Sequence, residues 1–334
     1  MKERVVLLTD SDIPGSAAED TLREAGFMVK MSPDGAPADY GDDPSGVEAL
    51  VVQWAPISGD VMDSFPRLRL ISRLGIGYDM IDVEAATARG IAVANTPSYC
   101  IEEVAAHSIA MVMSLSRGLP HYDRSMRKEL WMPVAAHPMA VRPSTTTVSV
   151  VGFGRIGSKV AVGLKGLGFR VLVIDPFASR QSVIDAGCEP VELAKALLES
   201  DIVSLHVPLD DQTRHMLRPE TISKMKKGAV VVNTCRGGLI DEVALIEALK
   251  SGQLSAAALD VFEQEPLAAN HPLLEQENVL ISPHAAWYSP ESLKDLPVHA
   301  AQNVIDFFAH GDTAVPIVNR EFRDFVADRT PVSE

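Results

Sequence analysis

Three cysteines are all that this 334-residue sequence contains: Cys100, Cys188 and Cys235. They are odd in number and far apart. That excludes a disulfide framework and a cysteine-built metal site, and it fits a reducing, cytoplasmic setting. The histidines show no metal-ligand spacing either, so no metal is expected. Basic charge is also short: 30 Lys and Arg face 45 Asp and Glu, a formal net charge of −15. That balance argues against nucleic acid and anionic membranes as partners. A small anionic substrate is still allowed, because it responds to the local field; solubility is the plainer reading of the excess. No stretch approaches the roughly 18 apolar residues of a membrane span. The N-terminal apolar run, Val5 to Leu8, reads as a first strand and not as a signal peptide. Low-complexity tracts and short-period repeats are missing too.

What is present is an ordinary globular composition, 46% apolar and 22% charged, in a chain long enough for two domains. Its most informative stretch is 148–175. An apolar run, Val148 to Val151, precedes Gly152-Phe153-Gly154-Arg155-Ile156-Gly157, which is G-x-G-x-x-G. Ile156, Val160, Leu164 and Leu167 then recur at helical spacing, and Gly168 sits where a helix ends. A second run, Val171 to Ile174, leads to Asp175, 18 residues past Gly157. In a strand–turn–helix–strand unit the first glycine permits a tight turn. The second lets a pyrophosphate approach the backbone, and the third lets helix and strand pack closely. Helix-start N–H groups bind the phosphate charge, and the acid accepts hydrogen bonds from a ribose diol. A simple packing turn explains the glycines but not Asp175, so dinucleotide binding is the reading. A carboxylate there repels a 2′-phosphate, which favours NAD over NADP; Arg180 lies near in sequence but follows Pro176.

Residues 1–98 alternate strands and helices, with a polar Gly/Pro/Asp loop at 32–46. They read as a small parallel α/β domain that has no G-x-G-x-x-G after its first strand. A long helix is predicted from Ile101 to Arg117. It is apolar on more than one side and therefore buried, between domains or in a dimer interface. Residues 119–145 carry four prolines and are read as irregular. The nucleotide domain then shows six strands, the number of a complete doubly wound sheet. A last helix, Ser292 to Phe308, is expected to return to the first domain. The fold class is α/β: two Rossmann-like doubly wound parallel-sheet domains, 1–98 plus 289–334 and 99–288, with an active-site cleft between them. Hinges are expected near Thr96–Ser98 and Tyr288–Pro290, so that closure excludes water.

In such sheets ligands bind beyond the carboxyl ends of the strands. Strand 229–234 ends in Cys235-Arg236-Gly237-Gly238, strand 256–261 is followed by Glu263-Gln264-Glu265-Pro266, and strand 279–282 ends in Pro283-His284. An arginine, a carboxylate and a histidine thus converge on one rim, a set that suits reduction of a 2-keto acid. His284 would give a proton to the carbonyl oxygen. Glu265 would orient the imidazole and keep it protonated. Arg236 would grip carboxylate and carbonyl as a fork. Taken singly, each has a plainer reading: a turn arginine, a solvated loop acid, a core histidine. His206, before Val207-Pro208, reads as structural.

The chain also resembles the D-isomer-specific 2-hydroxyacid dehydrogenases nearly end to end. The resemblance lies in RLGIGYDMID at 73–82, NTPSYCIEEVAAH at 95–107, VVGFGRIGSKVA at 150–161, NTCRGGLIDEVAL at 233–245, ALDVFEQEP at 258–266 and SPHAAW at 282–287. It implies that Arg236, Glu265 and His284 are catalytic. It implies a substrate site of Ile76, Gly77, Arg236 and Trp287, with the Ile76 and Gly77 amides on the substrate carboxylate. It implies a cofactor site of Gly152, Gly154, Arg155, Ile156, Gly157, Asp175, Val207, Pro208, Thr213, Thr234, Cys235 and Asp260, with Asp260 near the carboxamide. A homodimer joined through the nucleotide domains is the family habit. The run His284-Ala-Ala-Trp-Tyr-Ser289 looks most like the C-terminal-binding-protein branch, NAD-binding corepressors that keep dehydrogenase residues; there Trp287 lies over the substrate.

Phosphoglycerate dehydrogenases are also similar, but the longer ones carry a C-terminal regulatory domain, which this chain is too short to include. Formate dehydrogenases have glutamine in place of Glu265. Met80, Ala106, the segment 137–147 and Cys235 depart from the family pattern. Cys235 replaces the commoner alanine; a small buried residue is the plainer reading, an oxidant-sensitive thiol the alternative. The leading expectation is therefore an NAD-dependent enzyme interconverting a small 2-keto acid and its D-2-hydroxy acid. The alternative is an NAD(H)-sensing, corepressor-like binding protein with vestigial catalysis.

Overall fold

Short apolar runs alternating with helix-period segments build two parallel sheets, one in each of two units: Met1–Cys100 with Tyr288–Glu334, and Ile101–Trp287. The structure, a computed structural model, describes residues 4–32, 44–129, 131, 133 and 140–328. Most of the loop expected at 32–46 lies outside the described residues, as do residues 137–139 of the 137–147 segment.

The first unit runs β1 (Val5–Leu8), α1 (Ala17–Glu24), β2 (Met28–Met31), β3 (Val47–Val52), α2 (Gly59–Asp63), β4 (Leu70–Arg73), α3 (Val83–Ala88) and β5 (Ala92–Ala94). The strand order is β2-β1-β3-β4-β5, parallel throughout. β3 and β4 are buried along their whole length, which is why Ala49–Val52 shows no polar alternation, and the burial takes in Glu48, Ser72 and Arg73 as well. Side-chain caps start α2 and α3: Ser58 accepts from the Val61 amide and Asp82 from the Ala85 amide at 2.9 Å.

The second unit begins with α4 (Ile101–Ser116) and α5 (Leu119–Glu129), then β6 (Thr147–Val151), α6 (Arg155–Gly166) and β7 (Arg170–Ile174). Next come α7 (Arg180–Asp185), β8 (Glu189–Pro190), α8 (Leu193–Glu199), β9 (Ile202–Leu205) and α9 (Pro219–Ile222). It closes with β10 (Ala229–Asn233), α10 (Glu242–Ser251), β11 (Leu254–Leu259) and β12 (Val279–Ile281). All strands are parallel, in the order β12-β11-β10-β9-β6-β7-β8. Read from β8, this is the 3-2-1-4-5-6 order of a dinucleotide-binding sheet with a seventh strand added. The order reverses between β6 and β9, and the glycine turn follows β6 at that point. On one face of the sheet Val148, Val150, Val160, Leu164 and Phe169 pack with Ala105, Met111 and Val112 of α4. Each such large side chain contributes about 1.5–3 kcal/mol. A last helix, α11 (Pro290–His310), belongs to the first unit: Ser72 Oγ donates to the Ala300 carbonyl at 2.9 Å, and Asn303 Nδ2 to that of Asn95 at 2.9 Å.

Two readings of the sequence need correction. Residues 119–129 are helical, not irregular. Pro120 is the second residue of α5, where a missing N–H costs nothing, and the Asp123–Arg127 pair at 2.9 Å supports the turn that follows. The sheet has seven strands, not six, because the two-residue β8 pairs with β7; its Pro190 is tolerated on an edge. Among the described residues no helix is long and apolar enough to cross a membrane.

Candidate active site

The glycine turn is built as its spacing requires. Gly152 has φ +100°, and a Cβ there would lie 2.2 Å from the His206 carbonyl oxygen. A Cβ on Gly157 would lie 2.1 Å from the Gly152 oxygen. These two glycines are demanded by the chain itself. Gly154 is different: its φ is ordinary and a Cβ would meet nothing. The space beside it is free for a group from outside the chain. No side chain caps α6, so its first N–H groups remain available, with exposed Arg155 and half-buried Ile156 beside them. Asp175 ends β7 and turns back on the loop, accepting from the amides of Phe153 at 2.7 Å, Phe177 at 2.7 Å and Ala178 at 3.0 Å. The acid therefore ties β7 to the glycine turn. An open second glycine, an uncapped helix start and an acid at the strand end fit a dinucleotide with an unphosphorylated ribose.

The next strand ends carry the remaining expected residues. After β9, Thr213 closes the loop by donating from Oγ1 to the Pro208 carbonyl at 2.7 Å, next to Val207. His206 is half-buried, with Nε2 2.8 Å from Ser204 Oγ; desolvation of its ring pushes the pKa down to about 4, so it is neutral at neutral pH. After β10, Asn233 shapes the turn. Its Oδ1 accepts from the Cys235 amide at 3.0 Å and its Nδ2 donates to the Arg236 carbonyl at 2.8 Å. Thr234 Oγ1 meets Ser108 Oγ of α4 at 2.8 Å. The Cys235 thiol donates to the Leu205 carbonyl, and burial pushes it up to about 12 against the pull of Arg236. Burial thus disfavours the thiolate, the form that oxidants attack.

Arg236, Glu265 and His284 come together on this rim. Gly237 lets the strand end and the acid loop touch backbone to backbone, since a Cβ there would sit 1.9 Å from the Phe262 carbonyl carbon. Glu265 uses both oxygens: Oε1 accepts from the Phe262 amide at 2.8 Å, and Oε2 lies 2.6 Å from His284 Nδ1. Burial pushes the Glu265 carboxyl up, but the His284 hydrogen bond, the Phe262 amide and the Arg236 charge outweigh it and leave it below the usual range. An ionised Glu265 thus holds Nδ1 protonated and fixes the orientation of the His284 ring.

His284 sits at φ +52°, an uncommon conformation for a residue with a Cβ and one that costs about 1–3 kcal/mol. Asp260 holds it there. This acid is 0% exposed and accepts from Ser282 Oγ at 2.5 Å and from the amides of Ala285 at 2.9 Å and Ala286 at 2.8 Å; its carbonyl takes the His284 amide at 2.7 Å. His107 of α4 completes the set, with Nε2 3.0 Å from Ser282 Oγ. Trp287, half-buried, follows this turn directly.

Ile76 and Gly77 belong to the first unit, in the loop after β4. Thr96 Oγ1 accepts from the Gly75 amide at 2.7 Å, and Asn95 Nδ2 donates to the Ile76 carbonyl at 2.7 Å. Sequence reasoning did not single out Arg73. It is 4% exposed, and its guanidinium lies 5.5 Å from the Trp54 ring centre. A Cβ on Gly75, at φ +142°, would land 1.1 Å from Arg73 Nη1, so the loop leaves room for a buried cation. Its position at the last residue of a fully buried strand was the available signal.

Comparison with known proteins identifies the family. The family model of the D-isomer specific 2-hydroxyacid dehydrogenase, NAD binding domain, matches residues 109–286. A glyoxylate reductase of Korarchaeum cryptofilum is 42% identical over 269 residues, 80% of each chain. A D-3-phosphoglycerate dehydrogenase of Archaeoglobus fulgidus is 34% identical over 290 residues, 86% of this chain but 55% of that one. The solved structure of a D-lactate dehydrogenase from Aquifex aeolicus, complexed with NAD and lactic acid, superposes with a TM-score of 0.85 at 28% identity, over 95% of this chain and 99% of that one. The chain belongs to the D-isomer-specific 2-hydroxyacid dehydrogenases, with an NAD-binding domain at residues 109–286.

Proposed function

We propose that the protein reduces a small 2-keto acid, of the size of glyoxylate or hydroxypyruvate, to the D-2-hydroxy acid. The observation that carries this reading is the 2.6 Å His284–Glu265 pair beside Arg236 at the carboxyl ends of the nucleotide-binding sheet. Bound NADH supplies the hydride. Arg236 grips the keto acid through two of its N–H groups, a geometry lysine does not offer. His284 gives the Nε2 proton to the carbonyl oxygen, which becomes the hydroxyl. Glu265 stays ionised and stabilises the imidazolium before the transfer. The proposal keeps the amides of Ile76 and Gly77 as holders of the substrate carboxylate and Trp287 as a wall for its side chain. On the cofactor, Gly154, Arg155 and Ile156 take the pyrophosphate, Asp175 the ribose, and Val207, Pro208, Thr213, Thr234, Cys235 and Asp260 the remainder. The named relatives are reductases and dehydrogenases, so they lend no support to a corepressor-like binding protein.

The test is NADH oxidation against glyoxylate, hydroxypyruvate, pyruvate, phenylpyruvate, 4-methylthio-2-oxobutyrate and 3-phosphohydroxypyruvate, with NADPH in parallel. Turnover of a small member with NADH preferred is the expected outcome. Silence across the series with NADH still bound would turn the reading toward the binding protein.

The same reading takes the protein as a cytoplasmic homodimer. Its sparse, scattered cysteines support the compartment. The dimer is supported by an apolar groove on α4 and α6, about 490 Å³, lined by Ala105, Ala106, Ile109, Val162 and Gly163. Sedimentation equilibrium is expected to give twice the 36.0 kDa chain mass, and a monomer at assay concentration would remove that part of the proposal.

A further inference from the structure

We propose that Glu242 is a positioning residue for the reduction: it fixes the loop that carries Glu265, and His271 holds Glu242 in place. The inference rests on the reading of Glu265 and His284 as the acid–base pair.

Glu242 opens α10, but the helix does not use it as a cap. Asp241 is the cap, accepting from the Ala244 amide at 3.0 Å. Glu242 instead turns away and is 8% exposed. Its Oε1 accepts the Glu263 amide at 2.7 Å. Its Oε2 lies 3.3 Å from His271 Nε2. His271 Nδ1 accepts from the Leu273 amide at 3.3 Å, which fixes the ring and sets Nε2 within ion-pair distance of Glu242.

The consequence for the reaction follows the peptide groups in order. Glu242 holds the Glu263 N–H, which belongs to the Phe262–Glu263 peptide. The Phe262 N–H, on the preceding peptide, is the donor to Glu265 Oε1. The other Glu265 oxygen orients His284. Rotation of this short segment would therefore change the aim of the imidazole. Two further contacts hold the same segment: Gly237 packs against the Phe262–Glu263 peptide, and His215 Nε2 meets Glu263 Oε1 at 2.5 Å.

The placement is costly for stability alone. Burial pushes the Glu242 carboxyl up; the Glu263 amide and His271 pull it down, while the Glu263 and Glu265 charges push it up again. An acid set among two like charges, yet bound to the one loop that carries the catalytic carboxylate, is explained by its effect on that loop. Sequence reading passed over it because Asp241-Glu242 looks like an ordinary acidic helix start.

The experiment compares wild type, Glu242→Ala, Glu242→Gln and His271→Ala in the full chain. Glutamine keeps an oxygen for the Glu263 amide. Glu242→Ala is expected to lower kcat for keto-acid reduction by about 10- to 100-fold, the scale of a small misplacement of reacting groups. NADH affinity should stay unchanged and Glu242→Gln should restore most of kcat. His271→Ala should lower kcat in the same sense, and it serves if the alanine at 242 does not fold. Two readings need no turnover: hydrogen exchange of the Glu263 amide, which should quicken from wild type to Gln to Ala, and the Glu265 carboxyl titration by NMR, which should lie higher in Glu242→Ala than in Glu242→Gln, two variants that have lost the same charge. If wild type reduces no keto acid, the functional reading fails, and these two measurements still decide the positioning role. Wild-type kcat in Glu242→Ala, parallel loss of kcat and NADH affinity in all variants, or unchanged exchange and titration would overturn it.

Discussion

His284→Ala lowers kcat for keto-acid reduction by about 10²–10⁴-fold, the range of a lost general acid, and leaves NADH affinity near that of wild type. The reasoning is local. His284 is held by Glu265 at Nδ1 and by the Asp260 turn at its backbone, and the proposed function takes its Nε2 as the proton donor. Alanine at φ +52° retains the strain of the turn but none of the chemistry. The loss should therefore fall on kcat and kcat/KM together, the signature of an interaction made in the transition state. Steady-state kinetics with an NADH fluorescence titration on the same preparation checks it. A variant that turns over within a few-fold of wild type would mean that another group gives the proton.

Gly152→Ala has the other large effect, and it acts on the fold and the cofactor together. At φ +100° the new Cβ would lie 2.2 Å from the His206 carbonyl oxygen and 2.7 Å from its carbon, backbone atoms that cannot swing away as a side chain does. Backbone strain and overpacking together cost about 2–6 kcal/mol, which for a domain of this size lowers Tm by on the order of 10 °C. NADH binding should weaken sharply, because the first turn of α6 no longer meets β6 in the same place. Gly154→Ala is the control. Its Cβ meets nothing in the chain, so Tm should hold while NADH affinity falls. Equal Tm losses at the two positions would contradict the assignment of the open space beside Gly154 to a ligand.

Much of this architecture is legible in the sequence, and the reasons are physical. Parallel strands buried on both faces show as apolar runs, and the positions just past β10, β11 and β12 are where a doubly wound sheet presents its chemistry. Arg236, Glu265 and His284 could be found by that rule alone. Helix α5 was not legible, because Pro120 reads as a breaker until its place in the first turn is known. The partners of Asp260 were not legible either: Ser282, Ala285 and Ala286 lie more than twenty residues away, and hydrogen bonds across that distance leave no periodic trace. The same holds for Glu242, Glu263, His271 and His215, which meet only through loops, and for Arg73, whose buried charge is announced by a glycine two residues on. Periodicity and strand-end position are local signals. Support for a site is long-range, and it appears only once the chain has folded.

The measurement that bears most directly on the whole account is the product of hydroxypyruvate reduction by the wild-type protein with NADH, resolved by chirality. One NADH oxidised per keto acid consumed, with the D-hydroxy acid as the only enantiomer, is the result the account requires. An L or racemic product, or tight NADH binding with no product from any of the six keto acids, would contradict it.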